Sequence, residues 1–341
     1  MRPPGYVLGM KIVITGASGN LGSAALRELS ADGRHEVTAV ARRRPDVADA
    51  GAASVRWHAA DVSHDDLTTV LTGADAVVHL AWKFQPTHRQ DVTWQTNAVG
   101  TRRVLDAAAA VGVPSVVCAS SVAAYSPVDH DTPVDETWLT DGASEATYCR
   151  EKAYVERTLD AFEASHPDIR VVRLRPAFVF QRSAASEQRR IFGGALARPA
   201  LVDRRRIPLV PVPAGLRFQA VHAGDVARGI AAAVERPVSG AFNLAGEGVL
   251  RREEIGDLMG ARTVEVPRGL AVRALGAAWR LHALPVPGSL LTALLNVPLM
   301  SSDRARTELG WTPSHSGRDA VNALLEGMPA RAGSTMPPLH P

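Results

Sequence analysis

The sequence predicts an α/β fold: a doubly wound parallel sheet with a smaller C-terminal lobe. Three observations predict it. From residue 10 to residue 176, short apolar β-branched runs alternate with segments of helical periodicity. A glycine-rich turn, Thr15-Gly16-Ala17-Ser18-Gly19-Asn20-Leu21-Gly22, joins the first apolar run to the first helical one. Beyond Arg175-Pro176 the alternation gives way to arginine- and proline-containing stretches and then to helices. The division expected is a leader at 1–9, a dinucleotide-binding domain at 10–176 plus 218–246, a substrate-binding lobe at 177–217 plus 247–330, and a Pro-rich tail at 331–341.

The first unit sets the rest. Lys11-Ile12-Val13-Ile14 reads as a buried strand, and the segment from Leu21 to Ser30 as a helix with Asn20 as its cap. Gly16 suits a tight turn, Gly19 lets a phosphate approach the backbone, and Gly22 lets helix and strand pack closely. Free N–H groups at the helix start, from Ser18 through Leu21 and Gly22, would face a pyrophosphate. The second strand, at 36–41, ends at Arg42-Arg43-Arg44. An acid here would select NAD through the ribose hydroxyl, whereas the Arg42 guanidinium suits a 2′-phosphate. The expected cofactor is therefore NADP, with NAD as the alternative. The third strand, at 54–59, leads to Asp61-Val62, where Asp61 would meet the adenine amino group, cap a helix at 63–71, or do both.

The fourth strand, at 74–81, contains His79, read as a core histidine, and ends in Leu80-Ala81 at the cofactor. The loop at 82–91, with Trp82, Phe84 and His88, is placed for substrate contact. One long helix is expected at 92–111, carrying Asn97, Gly100 and Thr101, then a fifth strand at 113–119 that runs into Ser120-Ser121. A helix at 145–165 and a sixth strand at 169–174 complete the alternation. Short strands are read at 218–221 and 240–245, with a helix at 225–235 between them, and 252–330 as helical. The apolar region 270–299 is a surface-binding lid or, by preference, a helix pair covering a pocket. Together with Trp82 and Trp138 it suggests a pocket less polar than a sugar site.

Composition excludes several classes. The 46% apolar and 21% charged content is that of an ordinary globular protein. The net charge of +3 is small and the arginines are spread out, so no nucleic-acid partner is indicated. No apolar run reaches membrane-spanning length, no secretory signal is visible, and the two cysteines make no framework, so a cytoplasmic protein is expected. The histidines lack ligand spacing, so no metal is expected.

Of 38 basic residues only Lys11, Lys83 and Lys152 are lysines. With four tyrosines, about 0.04 chance matches to Tyr-x-x-x-Lys are expected, yet Tyr148 and Lys152 make one. At i and i+4 they share a helix face, where an ammonium would lower the phenol's pKa and suit it to proton exchange with a substrate oxygen. Ser121, at the end of the fifth strand, could polarise that oxygen. Carbonyl reduction needs this set beside a nicotinamide, whose ribose Lys152 would also bind.

These residues, with Asp61, His79-Leu80-Ala81, Asn97, Gly100-Thr101, Leu174-Arg175-Pro176, 221–227 and Phe242-Asn243-Leu244-Ala245, resemble the short-chain dehydrogenase/reductase superfamily. Length and glycine spacing resemble its extended branch, the NAD-dependent epimerase/dehydratase family. The resemblance implies a Rossmann-type domain and Ser121, Tyr148 and Lys152 as the catalytic triad, with Asn97 in support. Ser121 is preferred to Ser120 because the family's serine lies four before the tyrosine matching Tyr125. The resemblance also implies a homodimer formed through the helices at 92–111 and 145–165. The chain departs from the family at Ser121-Val122-Ala123, where its dehydratases carry Thr-Asp-Glu, and at Ser126 and Gln181, where glycines are usual. The function expected is an NADP(H)-preferring oxidoreductase of a small-molecule carbonyl or secondary alcohol. A nucleotide-sugar epimerase and a non-catalytic NADP(H) sensor are the alternatives.

Overall fold

The computed structural model describes residues 9–45, 55–84, 87–193 and 207–340. The first strand, β1 (Lys11–Thr15), is buried from Ile12 onward. Ile12 and Ile14 enter one core layer and Val13 the other, as the two-residue period of a strand requires. The chain continues through α1 (Asn20–Ser30), β2 (Glu36–Ala41), β3 (Val55–Ala59), α2 (Thr68–Leu71) and β4 (Ala76–His79). Where the sequence reads as one helix over 92–111, the structure has α3 (Gln90–Trp94), a π turn (Gln95–Val99) and α4 (Gly100–Ala110). Next come β5 (Ser115–Ala119), α5 (Thr147–Ser165) and β6 (Arg170–Pro176).

Beyond β6 lie β7 (Phe178–Phe180), α6 (Ala185–Gly193), β8 (Leu209–Pro213), β9 (Ala220–His222), α7 (Ala223–Glu235) and β10 (Gly240–Leu244). The C-terminal part holds α8 (Arg252–Met259), β11 (Arg262–Val266), α9 (Arg268–Arg280), α10 (Gly288–Asn296), α11 (Asp303–Glu308) and α12 (Gly317–Gly327). Seven strands form a parallel sheet in the order β10-β6-β5-β4-β1-β2-β3. Strand order reverses between β1 and β4, which opens a crevice at their carboxyl ends.

Several elements differ from the sequence reading. The strand at 218–221 is β9, and it pairs with β7 outside the central sheet. The region at 252–330 is not wholly helical, because β11 pairs in parallel with β8. The Pro-rich stretch that reads as a tail docks on α6. The Ser186 N–H donates to the Ala332 carbonyl at 3.1 Å, and Arg190 to the Pro338 and His340 carbonyls at 3.0 and 2.7 Å. Leu339 is fully buried there. Of the leader only Gly9 is described, and the Arg204-Arg205-Arg206 run lies outside the described residues. Helices α9 and α10 form the expected pair: a Cβ on Gly288 would stand 2.5 Å from the Val272 carbonyl. No described helix is long and apolar enough to cross a membrane.

Candidate active site

A cavity of about 780 Å³ lies at the carboxyl ends of β1, β4 and β5. Its floor is the glycine turn. Gly16 has φ +69°, and a Cβ there would stand 2.6 Å from the Ala81 backbone. A Cβ on Gly22 would stand 2.1 Å from the Gly16 carbonyl oxygen. Both positions therefore exclude a side chain through backbone contact. Gly19 is different: its Cβ would meet only the Gly16 oxygen, at 3.4 Å, so the space it leaves belongs to the cavity. Gly19, not Asn20, precedes the first helical residue, and no side chain caps α1. Asn20 instead donates to the Val179 carbonyl at 3.3 Å and accepts from Gln181. Ser18, Asn20 and Leu21 line the cavity beside these uncapped N–H groups. An open cradle at a helix start fits the pyrophosphate of a dinucleotide.

Arg42, just past β2, lines the far end, more than half exposed, and its guanidinium is 4.0 Å from the Asp61 carboxylate. Burial works against the Asp61 charge, but hydrogen bonds from the Ser63 hydroxyl and N–H, at 2.6 and 2.9 Å, outweigh it and hold the carboxyl below its usual value. Asp61 does not cap a helix at 63–71, because α2 begins at Thr68 and Asp66 accepts the Thr68 N–H. Val62 packs beside Gly100, and Leu80 and Ala81 close over Gly16. His79 is buried with both ring nitrogens bonded, to Thr15 and Thr101.

Ser121, Tyr148 and Lys152 meet on the wall formed by the end of β5 and the start of α5. The two serines differ in use. The Ser120 hydroxyl donates to the buried Glu156 carboxylate, whereas Ser121 lines the cavity and its hydroxyl oxygen accepts the Ala123 N–H at 3.1 Å. Burial pushes the Tyr148 phenol up to about 12, against the pull of Ser121. This corrects the expectation of a phenol lowered by its lysine. The Lys152 ammonium donates to the Ala119 carbonyl at 2.8 Å and lies 3.5 Å from the Trp82 ring centre. Burial pulls its own pKa down to about 8.

Asn97 does not line the cavity. It is fully buried in the π turn, accepts the Lys83 N–H at 2.7 Å, and donates to the Lys83 carbonyl and the Glu151 carboxylate. It thereby fixes the loop that presents Trp82, Lys83 and Phe84 to the cavity. His88 is not at the cavity but stacks on Trp279, ring centres 3.7 Å apart. Trp138 also turns away, donating to the Ser126 carbonyl. Behind the site, Arg175 clamps Glu156 with two bonds of 2.9 Å and donates to the Tyr125 hydroxyl, which donates to Asn243. Burial would raise Glu156, but Arg175 overrides it and holds the carboxyl at about 2. This network ties β6 and β10 to the segment carrying Ser121. Sequence reasoning missed Glu187 on α6, a cavity-lining carboxyl that burial raises to about 7. Its stretch shows no motif or period that would single it out.

The model of the NAD dependent epimerase/dehydratase family matches residues 12–245. An uncharacterized protein of Mycobacterium tuberculosis is 27% identical over 330 residues, 95% of this chain and 31% of that protein. The chain thus spans about a third of the length of the first curated relatives it matches. The 2-alkyl-3-oxoalkanoate reductase of Stenotrophomonas maltophilia is 26% identical, covering 92% of this chain and 98% of the reductase. Among solved structures, a Stenotrophomonas UDP-glucose-4-epimerase with bound NAD and formylated UDP-arabinopyranose superposes with a TM-score of 0.70 at 22% identity, covering 94% of this chain and 98% of that one. At that identity the likeness shows the fold, a Rossmann-type sheet with its accessory elements. Sheet, glycine turn and family match agree, and the chain belongs to the NAD dependent epimerase/dehydratase family of the extended short-chain dehydrogenase/reductases.

Proposed function

We propose that this protein is an NADP(H)-preferring oxidoreductase acting on a carbonyl or secondary alcohol, with Tyr148 as general acid/base. One observation carries the reading: Ser121, Tyr148 and Lys152 line the same cavity as the open glycine cradle. The dinucleotide supplies or takes up the hydride when bound. With its phenol held near 12, Tyr148 keeps its proton at neutral pH and can deliver it to a carbonyl oxygen. Ser121 polarises that oxygen, and Lys152 keeps positive charge one helical turn away below about pH 8. Arg42 supports NADP(H), since its only ion pair among the described residues is long and its guanidinium is open to a 2′-phosphate.

A reductase among the full-length relatives favours carbonyl chemistry. The second reading, a nucleotide-sugar epimerase with NAD, is favoured by the epimerase of similar fold. A sensor would have no use for the proton donor this chain keeps. We take the protein to be cytoplasmic and a homodimer through α3–α4 and α5, where Trp94 and Tyr154 form an exposed ring pair 4.6 Å apart.

Calorimetry of NADP(H) and NAD(H) binding tests the cofactor, with Arg42→Ala beside the natural protein. Binding of NADP(H) weakened by about tenfold or more in the variant, with NAD(H) unaffected, is the expected result. A preference for NAD(H), or NAD retained through purification, would move the assignment to the epimerase. Tyr148→Phe should lower turnover by a factor of about 100 or more while cofactor affinity stays.

A further inference from the structure

The cavity continues past Tyr148 between two apolar walls. One is α10. Its Ala293 packs with Ala143, Ala146 and Cys149, and the Tyr148 ring lies against this cluster. From that point Leu290, Leu291 and Leu294, on neighbouring positions of the helix, turn into the cavity and stay only half-buried. Leu275 of α9 and Val286 extend the same wall. The one polar side chain that α10 brings to the cavity, Asn296, already donates to the Thr292 carbonyl at 3.1 Å. The other wall carries two rings, one of them on α6, the helix that also brings Glu187 to the cavity. Phe84 meets the Tyr148 ring edge-on at 4.6 Å, and Phe192 of α6 lies 5.6 Å from Phe84.

Leucines that converge on a cavity without filling it leave apolar surface that a hydrocarbon would cover and a diphosphate would not. The catalytic tyrosine stands where the two walls meet. A substrate whose oxygen reaches Tyr148 must therefore run its remainder between them.

We propose that the space between α10 and the Phe84–Phe192 pair is a subsite for an unbranched hydrocarbon chain attached to the reacting carbon. The substrate class is then an alkyl ketone or the corresponding secondary alcohol. The inference rests on the carbonyl–alcohol reading of Tyr148. In the reducing direction the carbonyl carbon gains a hydride from NADPH and the oxygen gains the Tyr148 proton. The products are the secondary alcohol and NADP+, and solvent returns a proton to the tyrosine.

Two measurements on the full chain test it separately from that reading. The first is kcat/KM with NADPH for methyl ketones lengthened from butanone to decanone. The second is calorimetric binding of the matching n-alkanols to the protein holding NADP+, which needs no turnover. Each added methylene should raise kcat/KM and tighten alkanol binding about 3- to 4-fold until the subsite is full. Leu291→Ser and Leu294→Ser should flatten both slopes, with dinucleotide affinity reporting that the variants fold. Alkanol binding that does not change with length overturns the subsite, whatever the activity. A length-dependent alkanol series with no turnover of any ketone upholds the subsite and overturns the reductase reading.

Discussion

Lys152 is a charge held where charge is costly, and removing it should stabilise the unliganded protein. Its pKa falls from the ordinary 10.5 to about 8 on burial, which sets about 3 kcal/mol against the ammonium at pH 7. Lys152→Met keeps the length of the side chain and removes that penalty. Against this, the Ala119 carbonyl loses its donor, costing about 1 kcal/mol, and the ammonium over Trp82 is lost, costing about 1 kcal/mol more. The balance is a gain of about 1 kcal/mol at neutral pH. The pH dependence is sharper than the magnitude. A lysine depressed in the fold carries its full penalty below pH 8 and sheds it as the pH rises toward 10.5. The natural protein therefore recovers about 3 kcal/mol over that window and the variant does not, so their order of stability should reverse between about pH 8 and 9. Urea denaturation of both proteins at pH 7, 9 and 10 measures this, and groups common to both cancel in the difference. A variant several kcal/mol less stable at pH 7, or a difference that stays constant with pH, would refute the reasoning. Catalysis should be lost in the same variant, a trade of stability for function.

Two further outcomes are expected. Glu187→Gln should match the natural protein in stability near pH 4.5 and exceed it by pH 8, because a carboxyl raised to about 7 loses its favourable neutral form as the pH climbs from 4.5 through 7; thermal melts at the two pH values check it, and a difference independent of pH would remove the burial explanation. Asn97→Ala should destabilise the protein by about 2–4 kcal/mol, since the Lys83 N–H and the Glu151 carboxylate lose a buried partner. It should also raise KM more than it lowers kcat, a split that steady-state kinetics reads and that a residue acting on the reacting atoms would not give.

Much of the fold was legible because its signals are local. β1, the glycine turn and α1 show themselves in apolar period and backbone chemistry within twenty residues. Tyr148 and Lys152 stood out because a chain that uses arginine nearly everywhere kept a lysine one turn from a tyrosine. What escaped depends on contacts between distant segments. The β8–β11 pair joins strands some fifty residues apart, one of them with prolines at 211 and 213. The docking of 332–340 on α6 rests on carbonyls that any sequence would offer. The Tyr148 pKa went the other way because burial is set by the walls around a phenol, not by its spacing from an ammonium. Asn97 reads the same in sequence whether it faces a substrate or the Lys83 backbone.

The π turn at Gln95–Val99 carries one residue more than an ordinary helical turn. It places α3 and α4 out of phase, so no single helical wheel describes 90–110. Closing the π turn to ordinary helical spacing with the chain length unchanged would swing α3 by about 100° around its axis, one residue's worth of rotation. Thr93 would then leave the Glu151 carboxylate it now reaches at 2.6 Å, and Trp94 would leave Tyr154. Substitutions scanned along this segment should be compared within each half, and a relative with an unbroken helix here should align with a one-residue gap between Gln95 and Val99.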